Sequence, residues 1–154
     1  MALIDETADD VRRISSELRP GMLDDLGLVA AMEWQLSEFG ERAGLKCRLD
    51  SRTDDSDMGR SRSTALFRIF QELLTNIARH AGATEVQVSL ELHGGRYILT
   101  VADDGRGMTE AEMTAPDSLG LIGMRERVRP FGGQIEIRGI PNGGTTVRVY
   151  VPAG

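Results

Sequence analysis

The sequence predicts a two-layer α/β sandwich, with a mixed, largely antiparallel sheet covered by helices on one face. Alternating apolar and polar residues recur at 45–50, 85–92, 96–103, 134–139 and 145–152, each run the length of a strand. Apolar residues at helical spacing occupy 25–40, 63–80 and 121–129. Two strand pairs are joined by the turn signals His93-Gly94-Gly95 and Pro141-Asn142-Gly143-Gly144, which make hairpins and hence antiparallel pairs. Strands with one polar face and helices with one apolar stripe bury most economically as one sheet under one helical layer.

Each element has its own signal. Residues 3–19 read as a helix with Ile4, Thr7, Val11, Ile14 and Leu18 at heptad-like spacing, a short coiled-coil seam or a simple amphipathic stripe, ended by Pro20-Gly21. The second helix, about 25–40, aligns Leu28, Met32, Leu36 and Phe39. LKCRLD (45–50) alternates as a strand and turns Cys47 inward, so a buried thiol is expected. The polar stretch 51–63 reads as a loop, and the third helix follows over about 63–80 with Leu66, Ile69, Phe70, Leu73, Leu74 and Ile77 as its stripe. After the first hairpin, residues 103–120 form a connection holding one helical turn, because Thr109 and Glu112 have capping-box spacing. A short helix covers about 121–129, ahead of the second hairpin.

Composition narrows the function. With 154 residues, 40% hydrophobic and 27% charged, the chain can bury a core without staples. A net charge of −6 argues against nucleic acid as the main partner, since phosphate backbones demand a basic footprint. The lone Cys47 excludes an internal disulfide. No apolar run reaches spanning length and the N-terminus lacks signal-peptide character, so a cytosolic location is expected.

The third helix raises a chemical question. Glu72, Asn76 and His80 recur every fourth residue and so stack along one helix face at the margin of the apolar stripe. Beyond it lie three glycine-bearing segments: DDGRG (103–107), GLIGM (120–124) and GGTT (143–146). A glycine in any one of them is explained by a turn. GLIGM, however, sets two glycines at the start of the short helix, where free amides and the helix dipole favour an anion such as phosphate. A dinucleotide fingerprint is excluded, because no segment has the GxGxxG pattern or a parallel βαβ context.

Taken in order, these motifs resemble those of sensor histidine kinases. Glu72, Asn76, Arg79, His80 and Ala81 resemble the N box; Asp103, Gly105 and Gly107 the G1 box; Gly120, Leu121, Gly123, Met124, Glu126 and Arg127 the G2 box. Gly132-Gly133 and Gly144-Thr145 continue the pattern. Leu18-Arg19-Pro20 with Leu23-Asp24 and Leu26-Gly27-Leu28 resembles the entry to the catalytic domain in the subfamily whose response regulators carry LuxR-type DNA-binding domains. The resemblance implies the Bergerat ATP-binding fold, with residues 1–20 as the tail of a dimerisation helix and 21–154 as the catalytic domain.

It also implies roles. Asn76 is expected to ligate Mg²⁺, and Glu72 to act as a base or orienting group toward the attacking nucleophile. Arg79 and His80 are expected to reach the phosphates. Asp103 is expected to accept a hydrogen bond from the adenine amine, with Thr145 supporting it and Gly105 and Gly107 letting the backbone approach. Met108 to Leu119 corresponds to the lid, and Gly120, Leu121, Gly123 and Met124 border the nucleotide. Mg·ATP is thus the implied ligand, and a dimerisation domain and a response regulator the implied partners. The parent protein is expected to be a homodimer, cytoplasmic or the cytosolic part of a membrane-anchored sensor, and the chain alone monomeric. One element of the pattern is missing: neither His80 nor His93 has the context of a phosphate-accepting histidine, so the chain reads as a catalytic portion whose acceptor lies elsewhere. An anti-sigma-factor-type serine kinase and a non-catalytic nucleotide switch share the fold and stand as the alternatives.

Overall fold

A computed structural model describes residues 21–53, 57–114 and 120–153. The helix expected over 3–19 lies outside them, as do residues 115–119 of the lid, Leu119 among them.

The described chain runs α1 (Gly21–Leu26), α2 (Leu28–Ala43), β1 (Lys46–Ser51), α3 (Arg60–Asn76), a π-helical turn (Ile77–Ala81), β2 (Glu85–His93), β3 (Arg96–Asp103), α4 (Glu110–Thr114), α5 (Leu121–Val128), a 3₁₀ turn (Arg129–Phe131), β4 (Gln134–Ile140) and β5 (Gly144–Pro152). The sheet order is β1-β2-β3-β5-β4. β1 and β2 are parallel, joined over the sheet by α3, and the other pairs are antiparallel. The predicted sandwich is therefore the observed one, with one parallel pair.

Burial follows the alternation. Val86, Val88 and Leu90 on β2, Leu99 and Val101 on β3, and Val147, Val149 and Val151 on β5 are buried against Met32, Leu36, Phe67, Ile69, Phe70 and Leu74 of α2 and α3. The other face carries Gln87, Ser89, Glu91, Thr100 and Arg148. A single slip of register would exchange these two sets, so burial fixes the pairing. Both hairpin turns follow from their residues. Gly94 and Gly95 each take positive φ, 61° and 76°, as a two-residue type I′ turn requires. In the second, Gly143 N–H donates to the Ile140 carbonyl at 2.8 Å with Asn142 at φ 60°, the residue order Pro-Asn of a type II turn.

Three features differ from expectation. The helix expected over 25–40 is split, because Gly27 sits at φ 92° and ψ 178° and separates α1 from α2, which then continues to Ala43 and a left-handed Gly44. The third helix begins at Arg60 and not near Ser63; Gly59, at φ 85°, starts it, and the buried Ser63 hydroxyl bonds back to the Gly59 carbonyl at 2.8 Å. Cys47 is half-buried instead of buried, since β1 is an edge strand covered only by α2. No helix among the described residues is long and apolar enough to cross a membrane.

Candidate functional site

One cleft gathers most of the predicted residues. It lies between α3, the ends of β3 and β5, and the start of α5, and encloses about 490 Å³ counting the part open to solvent. Its walls are apolar (Leu73, Ile77, Val101, Leu121 and Val147), and Asn76, Asp103, Arg106 and Thr145 supply the polar groups. Gly107 and Met108 complete the rim. An apolar cleft with a few convergent polar groups is the form of a small-ligand site.

Asp103 is the last residue of β3 and is paired in register with Val86. Its Oδ1 accepts the Gly105 amide at 2.8 Å. Burial pushes the carboxyl above its ordinary value, while the Gly105 and Thr145 amides pull the other way. The neighbouring Asp104 behaves oppositely. It points to solvent, accepts the Thr84 hydroxyl at 2.6 Å and the Thr84 and Glu85 amides at 2.8 and 3.0 Å, and is lowered to about 2 by those bonds. Asp104 therefore ties β3 to the start of β2, leaving Asp103 as the cleft's carboxylate.

The loop after Asp103 lies backbone-to-backbone on the β4–β5 hairpin, and glycines permit it. A Cβ on Gly107 (φ 82°) would collide with the Ile140 carbonyl, one on Gly139 with the backbone of Met108, and one on Gly144 with the Asp103 carbonyl. Thr145, only 8% exposed, closes the junction by accepting the Met108 amide on Oγ1 at 2.8 Å. The segment after Met108 is held as its sequence predicts. Thr109 and Glu112 form the reciprocal capping box, with Thr109 N to Glu112 Oε1 at 3.0 Å and Glu112 N to Thr109 Oγ1 at 3.2 Å. Arg106 adds a bidentate pair to Glu112 at 2.8 and 2.7 Å, which together with the Thr109 bonds lowers the Glu112 carboxyl to about 2.

On the opposite wall, Asn76 ends α3 at the cleft edge. Glu72, one turn earlier, does not line the cleft; its carboxylate packs against Gly120, where a Cβ would strike it, at the left-handed residue that begins α5. Leu121 turns into the cleft, but Met124 is buried in the core. Gly123 is exposed mid-helix, and a Cβ there would meet nothing within 4 Å, so the protein itself gives no steric reason for a glycine. Arg79 is not on the cleft. The π turn from Ile77 to Ala81 breaks the four-residue rhythm, and Arg79 faces a second groove, between α2 and α3. His80 lies in the same turn. Gly139, Asp104 and Arg106 escaped the sequence reading; of these, only Arg106 had a local signal, as the variable residue between two motif glycines.

The sheet, the cleft over its strand ends and the glycine-bearing loops around it are those of a Bergerat-type ATP-binding domain. Residues 61–154 match the family described as histidine kinase-, DNA gyrase B- and HSP90-like ATPases, and the chain belongs to it. Among curated relatives, the chain is 38% identical over 145 residues to the sensor histidine kinase MctS of Rhizobium johnstonii, covering 93% of this chain and 31% of that one. It is 34% identical over 150 residues to the signal transduction histidine-protein kinase/phosphatase DegS of Brevibacillus brevis, covering 97% and 39%. The chain thus spans between 31% and 39% of the length of these relatives. Solved structures agree on the fold. The blue-light activated histidine kinase of Erythrobacter litoralis EL346 superposes with a TM-score of 0.69 at 23% identity, over 82% of this chain and 42% of that one. The catalytic domain of histidine kinase ThkA gives 0.67 at 17%, over 82% and 90%.

Proposed function

We propose that this chain is the catalytic domain of a two-component sensor histidine kinase, binding Mg·ATP in the cleft and presenting the γ-phosphate to a histidine on the parent protein's dimerisation unit. A response regulator then takes the phosphoryl group. The observation that carries the reading is the cleft itself: an apolar slot with Asp103 at one end and Asn76 on the opposite wall. An apolar slot of this kind suits a purine, and a carboxylate there would accept from the adenine amine but oppose the guanine carbonyl. Asn76 offers one side-chain oxygen, a donor set suited to Mg²⁺, which keeps several waters and is otherwise held by phosphates. Bound there, the cation would offset the charge of the triphosphate. Gly123, exposed without need inside the protein, leaves room for a ligand at the start of α5. Glu72, beside Gly120, is assigned by the motif to take or orient the proton of the incoming imidazole. Arg79 and His80 are assigned to the phosphates only by the motif. Both curated relatives bear histidine-kinase names, which favours this reading over a serine kinase or a silent switch. Cytosolic placement follows from where ATP is found.

Calorimetry on the 154-residue chain tests the assignment. ATP and ADP should bind well above GTP, and equal affinities would remove Asp103 from the adenine.

A further inference from the structure

Arg106 is the one base lining the cleft among the described residues, and it faces two ways. Its carbonyl accepts the Asn142 amide at 2.9 Å, which fastens it to the β4–β5 turn. Its guanidinium forks onto Glu112 of α4 at 2.8 and 2.7 Å, with side chains 46% and 28% exposed. Glu112 Oε1 also accepts the Thr109 amide at 3.0 Å and the Thr109 hydroxyl at 3.1 Å. One carboxylate thus gathers four donors around a helix of five residues, far too short to be stable alone. Packing contributes little, since none of Glu110, Ala111, Glu112 and Met113 is buried.

We infer, on the reading of the cleft as an ATP site, that Arg106 is a positioning residue for the nucleotide: it clamps α4 through Glu112, so that Met108 is already in place when the nucleotide arrives. Met108 lines the cleft, and only Thr109 separates it from α4. It is fixed from both sides. Its amide donates to Thr145 Oγ1 at 2.8 Å, and the clamp holds the chain that follows it. A ligand meeting a wall already set does not supply the cost of ordering it. Both Nη atoms of Arg106 are engaged by Glu112, which commits the guanidinium to the clamp and not to the ligand.

Two substitutions in the full chain separate the parts. Glu112→Gln keeps a side-chain acceptor for Thr109, as glutamine serves in a capping box, but loses the ion pair. Arg106→Gln removes the other partner. Without nucleotide, each should speed hydrogen exchange of the amides at 112 and 113 about two- to fivefold, the range for a half-exposed bidentate pair. Each should speed ATP dissociation by a similar factor. The double variant should lose no more than either single one, because both remove the same contact. Arg106→Lys keeps the charge without the fork and should recover only part of the loss. The urea midpoint should hold in every chain, since α4 opens locally, below the global transition. Unchanged ATP dissociation in the variants overturns the proposal, as does a urea midpoint that falls with the affinity. Tighter binding in Glu112→Gln with weaker binding in Arg106→Gln overturns it too, by putting the guanidinium on the nucleotide. An unaltered chain that binds no ATP overturns the ATP reading and this role together, and exchange at 112 and 113 then tells whether the clamp itself stands.

Discussion

Replacing Thr145 by valine removes one hydroxyl and almost no volume, so the change isolates a single hydrogen bond. That bond runs from the Met108 amide to Thr145 Oγ1 at 2.8 Å, and the side chain accepting it is 8% exposed. The amide cannot easily turn to water, because Met108's backbone is pressed against Gly139. Leaving a buried donor unpaired costs about 1–3 kcal/mol. Met108 is half-buried, which places the expectation at about 1–2 kcal/mol, or a fall in melting temperature of roughly 2–6 °C for a domain of this size. Urea titration gives the stability, and calorimetry with ATP gives the second consequence: a loosened Met108 loop should weaken binding several-fold. Thr145→Ser retains the acceptor and should recover most of both losses. A valine variant within about 0.3 kcal/mol of the original protein, a typical error of such comparisons, would refute the idea that this bond holds the Met108 loop.

Other perturbations separate the cleft's groups. Asn76→Ala should leave the circular dichroism unchanged and strip nucleotide binding of most of its magnesium dependence; a collapsed spectrum would make Asn76 structural. Asp103→Asn should lower ATP affinity about ten- to a hundredfold through the loss of a charge-assisted bond. Because burial raises the Asp103 carboxyl, its charged form costs stability at neutral pH, so the same variant should melt no lower than the original protein at pH 7, any advantage vanishing in acid as Asp103 protonates. Asp104 is the opposite case: held at about 2, its contribution is complete above the ordinary aspartate value near 3.9 and fades as pH falls toward about 2. The urea-midpoint gap between the original protein and Asp104→Ala should therefore be constant from about pH 7 to 5 and narrow below about 4.

What the sequence disclosed was local. Alternation in 85–92 and 96–103 gave β2 and β3 nearly to the residue, and the spacing of Thr109 and Glu112 gave the capping box that the structure contains. Asn76, Asp103, Gly107 and Thr145 could be named because their motifs are short and ordered, and the cleft brings them together. What escaped was set by contacts between distant residues. Gly139 matters only because Met108, far earlier in the chain, lies on it. The parallel pairing of β1 with β2 depends on how α3 crosses the sheet. The π turn defeated a reading of residues 72–80 as one ideal helix, because a fifth residue per hydrogen-bonded turn rotates Arg79 away from the face of Asn76. Asp103 and Asp104 are adjacent and chemically identical, and only the three-dimensional partners at Gly105 and Thr84 distinguish them.

The proposed role of the cleft is to bind ATP in order to phosphorylate a histidine, with Glu72 serving the transfer and not the binding. Glu72 packs against Gly120 outside the cleft's lining, so its loss should cost no contact with the base. The deciding measurement is transfer of labelled γ-phosphate from ATP to the histidine of a supplied dimerisation domain, comparing the original chain with Glu72→Gln. In Glu72→Gln, ATP affinity should be unchanged or slightly tighter and the transfer rate lower by about 10²–10⁴-fold. Full transfer by the Glu72→Gln chain, or no transfer by the original one, would contradict it.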